Sequence, residues 1–281
     1  MAPRSSAGPR ARVLRSAAMT RTTELLSDGP LHADQIQPGS RYELSDGHPL
    51  LCMPTGGRGS RANLVGASAL ETDPAVDSAG VDTGFSPQPK MLRAPDVAVG
   101  NVPNTPGWVQ GVPPLAVEYA DTGQDEDDLQ GRIHDLLTRG TRFVWVVRLV
   151  GPRRVEVYEP GGKMRLVAPG QELTAPGVLQ NPVPIEALYD REAAHEATLR
   201  NLLQRRGFAS VEAVKEAGKL EGKLDGQLDE ARSALRRLLA RRGLAITAEQ
   251  EARIGACADL AMLHGWHDEA VVAGSAEEAL R

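Results

Sequence analysis

The sequence predicts an α/β domain followed by an all-helical C-terminal appendage, and three observations carry that prediction. PLAVEYA (114–120) and RFVWVVRLV (142–150) are apolar, β-branched runs. Between them DEDDLQGRIHDLLTRG (125–140) sets Leu129, Ile133, Leu136 and Leu137 at helical spacing. Strand, helix, strand over so short a span is a βαβ crossover, which makes the two strands parallel neighbours. After residue 190 the Pro- and Gly-punctuated pattern gives way to helical periodicity centred on GKLEGKLDGQLDEARSAL (218–235).

Each element can be justified in order. Residues 1–23 carry several arginines without the apolar centre of a secretory leader, so they read as a disordered tail, with Met19 an alternative start. RYELSDGHPLLCMP (41–54) is a hairpin, its two short runs flanking Ser45-Asp46-Gly47. RANLVGASALE (61–71) has a weak helical period, and a short strand fits near Val81 to Phe85. LRAPDVAV (92–99) and PLAVEYA are strands bounded by Pro and Gly. Acids crowd the start of the 125–140 helix and Arg139-Gly140 closes it, which suits the helix dipole and a glycine stop. VEVYEP (155–160) is a further strand, and hairpin-like pieces near 164–168 and 183–189 complete a domain over 24–190.

Residues 191–246 read as a helical linker or stalk and 247–281 as a small helical cluster, opened by the capping box Thr247-Ala-Glu-Gln250. Gly218, Gly222 and Gly226 each cost roughly 1 kcal/mol relative to Ala in a helix. Such a helix needs Leu220, Leu224 and Leu228 covered, by another copy of the chain or by a neighbouring helix; a solvated linker is the alternative.

At 281 residues and 41% apolar content the chain can bury a core. A formal net charge of −5 gives no global attraction to nucleic acid or membrane, so a nucleic-acid contact must be local. No apolar run reaches the length of a membrane span. Cys52 and Cys257 form no framework, which points to a reducing cytoplasm. Cys257, His264 and His267 lack a further ligand at zinc spacing, and packing explains them better. Arg232, Arg236, Arg237, Arg241 and Arg242 could touch phosphates, although arginines balancing nearby acids are commoner.

Two carboxylates stand out. Asp96 and Glu118 sit in apolar strand candidates where burial of an acid is costly unless it is paired, protonated or metal-bound. If the strands are neighbours, both side chains can share one face and hold a hard divalent cation such as Mg²⁺. The bland readings are a turn cap for Asp96 and, for Arg132 on the following helix, an ion pair with Asp128 one turn earlier.

RYELSDGHPL, RAPDVAVG, PLAVEYA, DLQGRIHDLLTRGTRFVWVV and RRVEVYEPGG occur in this order. Together they resemble the blocks of the Uma-type putative restriction endonuclease family, within the PD-(D/E)xK nuclease superfamily. The resemblance covers residues 24–190. It implies a restriction-endonuclease-like mixed sheet flanked by helices and Mg²⁺-dependent hydrolysis of DNA phosphodiester bonds, with Mn²⁺ an alternative ion. It implies Asp96 and Glu118 as metal ligands and Glu43 as an acid facing the same site. Ala120 stands where the superfamily's strand lysine would be, and Arg132 aligns with the lysine that this family supplies from the helix. The implied catalytic set is therefore Asp96, Glu118, Arg132 and Glu43. An arginine can stabilise phosphate charge, but it cannot act as a base. The alternative is a catalytically impaired copy of the fold, kept as a nucleic-acid-binding or assembly module that forms homo-oligomers through its C-terminal helices. A structural protein without ligand is the third reading.

Overall fold

The computed structural model describes residues 30–281. The expected N-terminal tail and the Met19 start lie outside the described residues. Two compact units divide the chain at Arg205/Arg206.

In the first unit, β1 (Tyr42–Ser45) and β2 (His48–Leu51) form the expected antiparallel hairpin. Asp46 and Gly47 both take positive φ, 47° and 82°, as a two-residue hairpin turn requires. A Cβ on Gly47 would lie 2.6 Å from that of Pro30, so the turn admits no larger residue there. The next helix, α1 (Gly57–Glu71), begins four residues before the 61–71 pattern. Gly57 and Gly59 in its first turn have poor helix propensity and hide that start.

Six strands follow in the order β3 (Ala79–Val81), β4 (Val97–Val99), β5 (Leu115–Ala120), β6 (Phe143–Arg148), β7 (Arg154–Tyr158) and β8 (Arg165–Val167). Neighbours are antiparallel except β5 and β6, which are parallel and joined by α2 (Glu126–Thr138). The expected crossover is therefore present. The 92–99 run contributes only Val97–Val99 to the sheet. Leu92 and Arg93 instead bridge to Leu44 and Phe85, and Pro95 has no N–H for a ladder. The strand expected near Val81 to Phe85 sits slightly earlier, at Ala79–Val81. The 183–189 piece is a hairpin arm only at its start. Its first residues, β10 (Val183–Pro184), pair with β9 (Glu172–Leu173), and the chain then tightens into a 3₁₀ turn at Ile185–Leu188.

Alternation along β5 divides the interior. Leu115, Val117 and Tyr119 join Leu70, Trp145 and Val155 in the larger core on the α1 face. Ala116 and Ala120 face α2 and pack with Leu129, Ile133, Leu136, Val144 and Val146. Glu118 lies between those two alanines in the α2-facing register.

The first unit continues past residue 190 through α3 (Arg191–Arg205). Ala194 and Ala197 give that helix a flat apolar face within the larger core. Arg205 donates to the carbonyls of Thr72, Asp73 and Val76 at 2.8, 2.7 and 2.6 Å, satisfying acceptors beyond the end of α1.

The second unit holds α4 (Val211–Arg241), α5 (Ala248–Ala256), α6 (Leu260–Val272) and the short α7 (Ala276–Ala279). Leu228, Leu235 and Leu239 of α4 share a core with Ile254, Leu263, Trp266 and Leu280. The Thr247–Gln250 capping box forms on both sides. Among the described residues the N-terminal half of α4 has no such cover: Leu220 and Leu224 are 71% and 49% exposed. Among the described residues, no helix is long and apolar enough to cross a membrane.

Candidate active site

Strand register places the two carboxylates. β4 and β5 pair as Val97↔Val117, Ala98↔Ala116 and Val99↔Leu115, so Asp96, immediately before β4, continues the register opposite Glu118. Residues opposed across an antiparallel pair share a face. Asp96 Oδ2 accepts the Tyr119 N–H at 2.6 Å, so one of its oxygens extends the ladder beyond the last strand residue. The turn-cap reading is not what forms: Asp96 accepts from a residue of the neighbouring strand β5, and its other oxygen is left.

Arg132 projects from α2 onto the same face. Its Nη1 donates to Glu118 Oε2 at 2.7 Å, and its Nε stands 3.5 Å from Glu43 Oε2, an ion-pair separation without a hydrogen bond. The pair with Asp128 does not form among the described residues; Glu118 takes its place. All four expected site residues, Glu43, Asp96, Glu118 and Arg132, are therefore brought together.

Sequence reasoning missed two charged neighbours. Arg93 is 1% exposed, donates Nη1 to Glu43 Oε2 at 3.1 Å, and donates Nε and Nη2 to Asp135 Oδ2 at 2.9 and 2.5 Å. Ser45 Oγ donates to the same Asp135 oxygen at 3.0 Å, tying the hairpin to α2. The available signal was an arginine within the apolar run Met91-Leu92-Arg93, since a charge is buried only when paired. The second is Asp82, which follows β3 with φ of 49° and whose N–H reaches the Asp96 carbonyl at 3.4 Å. Only the β3–β4 register exposes it, and no local pattern marks that register.

Burial controls the electrostatics. It pushes the Glu118 carboxyl up to about 8, against the opposing pull of Arg132, with the charges of Asp96 and Glu43 adding to the rise. Asp96 is pushed up to about 6 by burial, while the Tyr119 N–H works the other way. The negative charge of Glu118 holds Arg132 firmly cationic. Cys52, beside Glu43, is raised to about 12 by burial and by that carboxylate, which keeps it a thiol.

The carboxyl groups of Glu43, Asp82, Asp96, Glu118 and Asp135 outnumber the guanidiniums of Arg93 and Arg132. Glu118 Oε1 is buried with no hydrogen-bond partner among the described residues. A hard divalent cation fits this donor set: it supplies the missing positive charge and takes the free oxygen. Among the described residues, no three His, Cys, Asp or Glu side chains are placed to hold a metal ion together. The fit is therefore to an ion that keeps much of its water.

The second unit presents no comparable cluster. Arg232, Arg236 and Arg237 pair with Asp229, Glu251 and Glu230, and Arg242 donates to the carbonyls of Ala270 and Ala273. Arg236 and Arg242, with Arg232 through the Cys257 carbonyl, tie α4 to its neighbours, while Arg237 pairs within α4.

No curated protein matches the chain. A putative nuclease from Anabaena variabilis with a solved crystal structure is similar to it at 16% identity, over 59% of this chain and 99% of the other, with a TM-score of 0.49. The Uma2 family model, described as a putative restriction endonuclease, matches residues 30–184. That span is more than half of the chain and takes in the hairpin, the six-stranded sheet and α2. The chain belongs to the Uma2 family of putative restriction endonucleases.

Proposed function

We propose that the protein is an Mg²⁺-dependent endonuclease hydrolysing DNA phosphodiester bonds, with Asp96 and Glu118 as the ligands of the ion. The observation that carries this reading is the opposition of these two carboxylates across β4 and β5, with Glu118 Oε1 buried and unpartnered among the described residues. Restriction-endonuclease-like families generally use divalent metal ions, in keeping with the oxygen donors here. A bound ion would lower the pKa of a water and stabilise charge on a phosphate. Arg132 would supply guanidinium hydrogen bonds to that charge, but as a permanent cation it cannot take a proton. Glu43 and Glu118 orient it. Mn²⁺ can replace Mg²⁺ in such an oxygen site. The chain's formal charge of −5 makes any DNA contact local to the site and its rim. Free Cys52 and Cys257 fit a reducing cytoplasm.

One observation favours a second reading. The Arg132 guanidinium is already engaged by Glu118 and Glu43, so less of it is free for a phosphate. On that reading the chain is a nuclease-fold binding or assembly module, with the uncovered N-terminal half of α4 as the surface through which copies associate. Supercoiled-plasmid nicking separates the two. The endonuclease reading expects nicking by the wild type in Mg²⁺, none in EDTA, and loss in Asp96→Ala and Glu118→Ala. If neither the wild type nor Arg132→Lys cuts above the Asp96→Ala background, the module reading replaces it.

A further inference from the structure

The ladders on either side of β4 set a third carboxylate in line with the first two. β3 pairs with β4 as Val81↔Val97, and β4 with β5 as Val97↔Val117. One residue further along, Asp82 stands opposite Asp96 and Asp96 opposite Glu118. The first of these pairings is kept by the hydrogen bond from the Asp82 N–H to the Asp96 carbonyl. Three acids thus form a row across three neighbouring strands.

Such a row is unfavourable by itself, because like charges directly opposite one another repel. Asp82 adds a conformational cost, its φ of 49° lying in the left-handed region that non-glycine residues rarely adopt. Among the described residues, no ion pair or hydrogen bond of the Asp82 side chain offsets either cost. At the other end of the row, the buried Glu118 leaves Oε1 without a partner among the described residues, a position that an ion can take. Asp82 is exposed, at the rim of the pair that half-buried Asp96 and buried Glu118 form.

We infer that Asp82 is a third carboxylate of the cation site, binding the ion through a coordinated water rather than directly. Indirect contact follows because, among the described residues, no three such side chains are placed to hold an ion directly, and Mg²⁺ commonly retains several waters. The left-handed backbone at Asp82 then has a purpose: it ends β3 and keeps the acid beside Asp96. This inference rests on the reading of Asp96 and Glu118 as ligands of the ion.

Terbium(III) binding to the full chain tests it without reference to cleavage. Asn adopts the left-handed region about as readily as Asp, so Asp82→Asn removes the charge while keeping the backbone; Asp82→Gly is the second, strain-free variant. The expected result is affinity weakened about tenfold in both, the effect of removing an outer-shell partner. The number of ion-bound waters, from luminescence lifetimes in H₂O and D₂O, stays at the wild-type value. Asp96→Asn is expected to lose binding or to gain a bound water. In EDTA, Asp82→Asn is expected to melt higher than the wild type, because the repulsion in the row is relieved. Wild-type affinity in both Asp82 variants, alongside loss in Asp96→Asn, overturns the inference and leaves the ligand reading intact. A gain of one bound water in Asp82→Asn overturns the indirect contact, and no saturable binding by the wild type overturns the inference and the ligand reading together.

Discussion

Arg93 meets carboxylates on two sides, pairing with Asp135 and sharing Glu43 with Arg132. Removing one partner of a buried ion pair leaves an uncompensated charge, at a cost of about 3–5 kcal/mol. Arg93→Ala is therefore expected to lower the urea midpoint of the first unit by an amount in that range, and to reduce any cleavage through the displaced Glu43. Arg132 lies differently: its side chain is 20% exposed, and its loss unpairs Glu118 next to the free Oε1. Arg132→Ala is expected to cut plasmid nicking by about 10²-fold, the size of effect seen when one charge-stabilising donor is removed. A smaller loss of stability than in Arg93→Ala would accompany it. The residues legible in the sequence were those whose chemistry clashes with a local pattern. Glu118 interrupts an apolar strand and Asp96 follows a proline, so both can be read from neighbours along the chain. Asp82, Asp135 and the partners of Arg93 acquire meaning only across strands or between strand and helix, and local periodicity carries no record of that pairing.

Among the elements, legibility follows the strength of the period. β5, α2 and β6 emerge as expected because their apolar spacing is strong and their ends carry caps and glycine. β4 and the 183–189 segment do not, because prolines and bridges to distant residues decide where the ladder stops. The N-terminal half of α4 gives a prediction at this scale. Gly218, Gly222 and Gly226 are helical, and a Cβ on each would meet no atom within 4 Å. Replacing all three by Ala is expected to stabilise the second unit by up to about 1 kcal/mol per site, read from far-ultraviolet circular dichroism during urea unfolding. Leu235→Ala, in the covered half of the same helix, is expected to cost about 2–5 kcal/mol in the same measurement.

For the whole molecule, the raised carboxyls make stability depend on pH. Asp96 and Glu118 bind protons more tightly in the folded chain than in the unfolded one, where carboxyls titrate near about 4. Their contribution is complete below that unfolded value and is lost as pH rises through about 6 and then about 8. In EDTA the first unit is therefore expected to unfold at lower urea near about pH 8.5 than near about pH 5.5, and Glu118→Gln should flatten much of that slope. Asp121 is held at about 2 by Arg58, and Glu156, despite burial, is held low by Arg148. Both contribute above the ordinary carboxylate range and lose their share only in acid, outside this window. Added Mg²⁺ is expected to restore the alkaline loss in the wild type and not in Asp96→Asn, since an ion that binds only the folded form stabilises it by mass action.

The parallel β5–β6 pair has a consequence for how such a site can change. Because β5 and β6 run the same way, the chain must leave the sheet and return through α2, and Arg132 reaches Glu118 from that detour. The side chain at 132 therefore belongs to no ladder and sets no strand register. Chemistry at this position can be exchanged, Lys for Arg or the reverse, while every sheet pairing stays as it is. The fold and the chemistry offered at this position are thus separable traits, and a chain with either cation at 132 would keep the same sheet.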